Sequence, residues 1–238
     1  MLTNQETVAA IAELKVFSVT SMHAAMGELI PPFERASGHQ VSISYDPATL
    51  TLERIRNGEI ADLIILSSTA MDELAKLGKI ETRSRRDLAR NGIGVAVLAG
   101  ALKPDIGSIE AFKRTLLAAR SIACTGAGAS GIYFASLIER LGIAAQVRAK
   151  TRTRPGGLIG ELVASGEAEI AIQQIPELLA VPGIELVGPL PPGLQVTSTI
   201  SASVFAGTRQ PEVAQALIEF LATPLAANVF KARGFEIF

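Results

Sequence analysis

An α/β fold with largely parallel sheets is the architecture this sequence predicts, and three observations predict it. Short β-branched runs alternate with stretches of helical periodicity, in an order that begins β-α-β-α. The 238 residues are 48% apolar, enough to fill a sizeable core in one large domain or two smaller lobes. Four turns that leave a strand and enter a helix are rich in small polar residues, and open parallel sheets place their ligands at such turns.

The strand signals fall at residues 15–19, 40–45, 63–66, 93–98, 121–125, 170–173 and 199–205. Between the first two, Met22, Met26, Leu29, Ile30 and Phe33 recur at helical spacing. Ser21 stands at the N-cap and Gly38 at the stop, while Pro31 and Pro32 predict a kink or break. Further helices are expected at 50–57, 71–76, 109–119, 131–141, 157–164, 211–221 and 225–232. Residues 181–195 hold the densest set of Pro and Gly and read as a surface loop.

Composition removes several classes of function. A net charge of −1, short basic clusters such as Arg83, Arg85 and Arg86, and no Trp leave no surface suited to nucleic acid. Cys124 is the single cysteine, so an internal disulfide is excluded, and with two histidines in the chain neither a metal nor another cofactor is expected. No apolar run of 18 residues predicts a transmembrane span. Residues 1–13 include Glu6 and Glu13 and do not read as a secretory signal, which leaves a cytoplasmic location open.

The four polar turns are Ser18 to Ser21, Asp46 to Thr49, Ser67 to Thr69, and Thr125 to Gly131. Each leads into a helix whose free N–H groups and positive dipole end suit an anion, so Ser21, Thr49, Ser68, Ser130 and Gly131 are candidate ligand contacts. For Ser21, Thr49 and Ser130 simple helix capping is the competing explanation. Gly126, Gly128 and Gly131 match the G-x-G-x-x-G spacing of dinucleotide folds, but no acidic residue follows about 20 positions on to meet a ribose, so a smaller anion is the better fit. Arg154, before Pro155-Gly156-Gly157, is the preferred cationic partner for a carboxylate. His23 is the candidate proton acceptor if the chain is an enzyme, with a packed or surface histidine as the alternative.

Taken together, Ser21 entering the first helix, the stretch Arg54-Ile55 through Ile65, Met71-Asp72-Glu73-Leu74, Gly131-Ile132-Tyr133 and Gly166-Glu167-Ala168 resemble the bacterial molybdate-binding proteins. That resemblance implies the type 2 periplasmic-binding-protein fold: two α/β lobes joined by crossing hinge strands. Residues 1–92 and 204–238 would form one lobe and 93–203 the other. The strands at 93–98 and 199–205 would make the crossings.

The family's anion cradle would fall on Ser21, Ala48 or Thr49, Ser130, the region of Gly156, and Gln174. Asp46 beside the second turn would repel a dianion. The run from Ile172 to Leu179, with Pro182 to Glu185 and Val187 to Pro191, is more similar to a branch that includes aconitate isomerase, which shifts a double bond in a tricarboxylate. The resemblance therefore implies a monomeric solute-binding protein that closes on a small anion, an organic carboxylate in preference to a molybdate-type oxyanion. An ABC-type permease would be its partner and the periplasm its location if a signal precedes the chain. The alternative is an isomerase on the same fold.

Overall fold

The computed structural model describes residues 13–238; the stretch weighed for a secretory signal lies outside them except for Glu13. Strand β1 (Glu13–Val19) pairs in parallel with β2 (Gln40–Asp46) and with β3 (Leu63–Ser67). Helix α1 (His23–Ser37) connects the first two strands, α2 (Ala48–Arg56) the next, and α3 (Ser68–Lys76) follows β3. Gly38 ends α1 at φ 74°, a left-handed value that glycine adopts without a Cβ penalty. The helix runs unbroken through Pro31 and Pro32. The carbonyls that lose N–H partners there belong to Gly27 and Glu28, both solvent-exposed, so water can satisfy them.

β4 (Arg86–Leu98) is the long crossing element. Its first half pairs antiparallel with β9 (Thr197–Val204), which also pairs with β3, and its second half pairs with β7 (Ile170–Gln174) and β8 (Ile184–Pro189). In the second lobe β5 (Ile122–Thr125) lies parallel to β7 and to the edge strand β6 (Thr151–Arg154). Both sheets are therefore mixed: parallel β-α-β units carry antiparallel strands contributed by the crossing.

The helices of the second lobe are α4 (Ile109–Ala118), α5 (Ala129–Arg140), α6 (Ala144–Arg148), α7 (Glu161–Ala164) and α8 (Ile175–Leu179). α9 (Pro211–Leu221) and α10 (Pro224–Ala232) return to the first. One core joins Leu14 through Ala89 with Ile200 through Phe235, burying Phe17, Met22, Met26 and Phe230. Phe112, Phe134, Leu137 and Ile172 anchor a second core, and Ala96, Ile159, Leu162 and Leu178 belong to a third beneath the same sheet. No helix among the described residues is long and apolar enough to cross a membrane.

Two expectations are corrected. The loop expected at 181–195 contains β8, in which Ile184, Glu185 and Leu186 and then Gly188 and Pro189 pair with β4 around a bulge at Val187. The return crossing precedes β9: Leu194 is buried in the second core and Ile200 in the first, so the chain changes lobes between them.

Candidate functional site

The carboxyl ends of β1, β3, β5 and β7 converge on a cavity of about 60 Å3 between the lobes. From the first lobe Ser21, Ala48 and Ser67 line it, each where a strand gives way to a helix. Asn91 on β4 and Ser198 and Ile200 on β9 form its floor at the hinge. The second lobe contributes Gly128, Ala129 and Ser130 from the start of α5, then Gly157, Gln174 and Glu177. The first turns of α2 and α5 therefore face one small space with backbone N–H groups that have no partner within their helices, an arrangement suited to negative charge. Among the described residues no Lys, Arg or His lines the cavity. A larger cavity of about 610 Å3 lies at the opposite, amino-terminal ends of β5 and β7, away from every one of these helix starts.

Of the residues singled out from sequence, Ser21, Ser130 and Gln174 are brought together in this wall. Neither serine caps a helix through its side chain: the residues before α1 and α5 are Met22 and Gly128, and the capping hydroxyls belong to Ser67, Ser108 and Thr223. Ser130 is 2% exposed, so its hydroxyl has little but the cleft to address. Thr49 is not in the wall. Its hydroxyl spans the cleft mouth to donate to the Ala127 carbonyl at 3.1 Å. Gly156 likewise meets Pro47 across the mouth, where an added Cβ would lie 3.1 Å from the proline ring.

Ser68 turns to the Thr199 carbonyl at 3.2 Å, and its neighbour Ser67 lines the cleft instead. Gly131 has a packing role: a Cβ there would sit 1.8 Å from the Thr125 carbonyl oxygen, so the glycine spacing serves the close approach of α5 to β5. Arg154 pairs with Glu161 at 3.1 Å and reaches towards Glu167, outside the cavity wall. His23 is exposed and rests edge-on against Tyr45, ring centroids 4.7 Å apart, also outside the wall. Asp46 is held at 2.5 Å by Arg54, whose guanidinium also lies over the Phe17 ring, so its charge is compensated away from the cleft.

Asn91, Ser198 and Glu177 line the cavity and were not singled out as ligand contacts. Asn91 is 1% exposed, and both polar atoms of its carboxamide lack a protein partner, as does Oε1 of Gln174. Buried polar groups are rarely left unsatisfied, and here two of them face the same small space. Glu177 is also buried. Burial pushes its carboxyl up to about 8, against a downward pull from hydrogen bonds with the Gln174 backbone and the Gln173 side chain.

A family model described as bacterial extracellular solute-binding protein matches residues 14–236. The chain belongs to that family. Among its relatives, an aconitate isomerase from Pseudomonas sp is 34% identical over 232 residues, covering 95% of this chain and 88% of the relative. Molybdate-binding protein ModA of Azotobacter vinelandii is 28% identical, with 96% and 92% covered. The solved periplasmic molybdate-binding protein of Azotobacter vinelandii superposes with a TM-score of 0.79 at 19% identity, over 94% of this chain and 99% of that one. This solute-binding protein thus has the two-lobed periplasmic-binding fold.

Proposed function

We propose that this solute-binding protein closes its two lobes on a small organic carboxylate and, outside the cytoplasm, presents it to an ABC-type permease. The mixed character of the cavity wall carries the reading. Helix N-termini, serine hydroxyls and Asn91 Nδ2 supply donors for a carboxylate, while Gln174 Oε1 and Asn91 Oδ1 offer acceptors that no protein group uses. A fully ionised tetrahedral oxyanion brings acceptors only, whereas an organic acid that carries a hydroxyl or keeps one carboxyl protonated can also donate to Gln174 Oε1. Val19, Pro47, Ala48, Ala129 and Ile200 add apolar surface for a carbon skeleton.

The cavity of about 60 Å3 holds a few water-sized groups. A carboxylate of several carbons therefore sits between lobes standing slightly further apart than here, and closure follows from its preference for the closed form. A second reading, an isomerase acting on an unsaturated polycarboxylate in the same cleft, is favoured by the buried acid Glu177 in the wall and by the 34% identity to an aconitate isomerase.

Thermal unfolding against citrate, cis- and trans-aconitate, molybdate, tungstate, sulfate and phosphate tests the ligand class. A ligand at about 100 times its Kd adds about 2.7 kcal/mol of stability, and only the carboxylates are expected to do so. Asn91→Ala should abolish that stabilisation without lowering the ligand-free midpoint, because the groups removed have no partner to lose. Stabilisation by molybdate or tungstate alone would overturn the proposal.

A further inference from the structure

Among the described residues Glu177 is the single acidic side chain in the cavity wall, and it is 8% exposed. It lies in α8, which packs against β4 and β8 of its own lobe and also against the turn Thr20–Met22 and α1 of the other, so it stands where the lobes meet. Gln173, four residues before it and hydrogen-bonded to its carboxyl, is fixed at both ends: its carboxamide accepts from the Ile159 amide at 2.8 Å and donates to the Gly157 carbonyl at 2.7 Å. A carboxyl group braced by such a neighbour has little freedom to turn away from the ligand.

We infer that Glu177 is the proton-transfer group of this cleft, moving a proton between the methylene and vinyl carbons of a bound unsaturated polycarboxylate and so relocating its double bond. The inference rests on the carboxylate reading above. In the forward step the Glu177 carboxylate takes a proton from the methylene carbon, and the electrons of that C–H bond become the new C=C bond. The former π pair then receives the proton from the Glu177 carboxyl at the old vinyl carbon. Nothing is oxidised or reduced, and Glu177 returns to its starting form. Charge that develops on the substrate's carboxylates during the shift faces the amides at the starts of α2 and α5 and the Nδ2 donor of Asn91.

A carboxyl raised to about 8 by burial is a stronger base than an ordinary glutamate and is partly ionised near neutrality, as a general base requires. The charged groups on the elements packed against α8 have other surroundings. His23 rests on Tyr45, Glu28 pairs with Arg233, and Glu34 accepts from the Val41 amide. Arg35 and Arg86 are solvent-exposed. Asp87 accepts from Ser201, Arg90 lies over Phe238, and Glu185 pairs with Lys103, while β7 and the turn at Thr20 carry no charge.

The test follows cis- and trans-aconitate by NMR in D2O with the full chain, wild type against Glu177→Gln, with binding measured separately by calorimetry. Wild type should interconvert the isomers and exchange deuterium at the methylene and vinyl carbons, with kcat/KM rising with pH up to about 8. Glu177→Gln should bind within a few-fold of wild type and lose about a thousandfold in rate. Glu177→Asp, which keeps the acid but shortens its reach, should retain a reduced rate, and His23→Asn full turnover.

Undiminished exchange in folded Glu177→Gln overturns the assignment. Should that variant misfold by circular dichroism, an unchanged rate and pH profile in Glu177→Asp overturns it instead. Wild type that binds aconitate but neither isomerises nor exchanges it leaves the carboxylate receptor standing and removes the proton-transfer role. Failure to bind any carboxylate removes both.

Discussion

A single buried acid ties the chemistry of the cleft to the stability of the chain. Glu177 holds its proton up to about 8 when folded, against an ordinary value of 4.5. Between those two values the folded chain binds a proton that the unfolded chain gives up, so its contribution to stability is complete below the lower value and lost as pH rises through the higher one. Glu177→Gln does not titrate. Wild type should therefore lose stability relative to that variant by about 1.4 kcal/mol per pH unit across this window, and urea titrations at several pH values will read it. A constant gap between the two proteins would mean that the carboxyl is not desolvated.

At this same scale the sequence was only partly legible. Ser21 and Ser130 could be placed at the cleft because they are small polar residues at strand-to-helix turns, and Gln174 through the family resemblance. Arg154 could not be judged, since Glu161, seven residues on, satisfies it locally. Asn91 and Ser198 come from strands on either side of the crossing, and neither has a local pattern that reveals an inward-facing side chain. The one available signal for Asn91 was an amide set between charged Arg90 and the apolar run from Ile93, at a strand position that disfavours Asn.

Helices and strands with strong periodicity were readable, and α9 begins and ends where its pattern does. The missed elements share a cause. β6 reads Thr-Arg-Thr-Arg, with no apolar face, because it pairs only with β5 at the sheet edge. The first half of β4 carries Arg86, Asp87 and Arg90, yet the ladder to β9 holds it extended despite its polarity. α8 is short and opens next to Pro176, so its five residues offer no helical period. Glycine position was informative in a different way. Gly131→Ala places a methyl group against the Thr125 carbonyl and must push α5 off β5, at a cost of about 1–3 kcal/mol. Because Ser130 rides on that turn, carboxylate affinity should fall with stability. Calorimetric binding at wild-type strength would show that the turn can relax without disturbing the cleft.

Across the whole molecule the lobes meet where the Thr49 hydroxyl reaches Ala127, Gly156 faces Pro47, and α8 packs on the Thr20–Met22 turn and α1. At the hinge, Gln195 acts as a substitute strand partner, accepting from the Ile93 amide at 3.0 Å and donating to its carbonyl at 2.8 Å. Gly92 permits this approach, since a Cβ there would lie 2.9 Å from the Gln195 amide nitrogen. Gln195→Ala removes both bonds at the point where the chain turns between lobes. The ligand-free protein should then spend more time open, with a larger radius of gyration by X-ray scattering and an apparent affinity lower by about fivefold, the equivalent of about 1 kcal/mol. Identical scattering curves would place the hinge elsewhere.

The crossing strand also bears on how the chain reaches this structure. β4 contributes to two sheets in one unbroken run of 13 residues, so its register is checked twice, against β9 and β3's neighbourhood on one side and against β7 and β8 on the other. A slip by one residue would turn Leu88, Ile93, Val95 and Val97 out of both cores together. Neither half of the protein can misalign that strand alone, and the two cores are obliged to form as one cooperative unit.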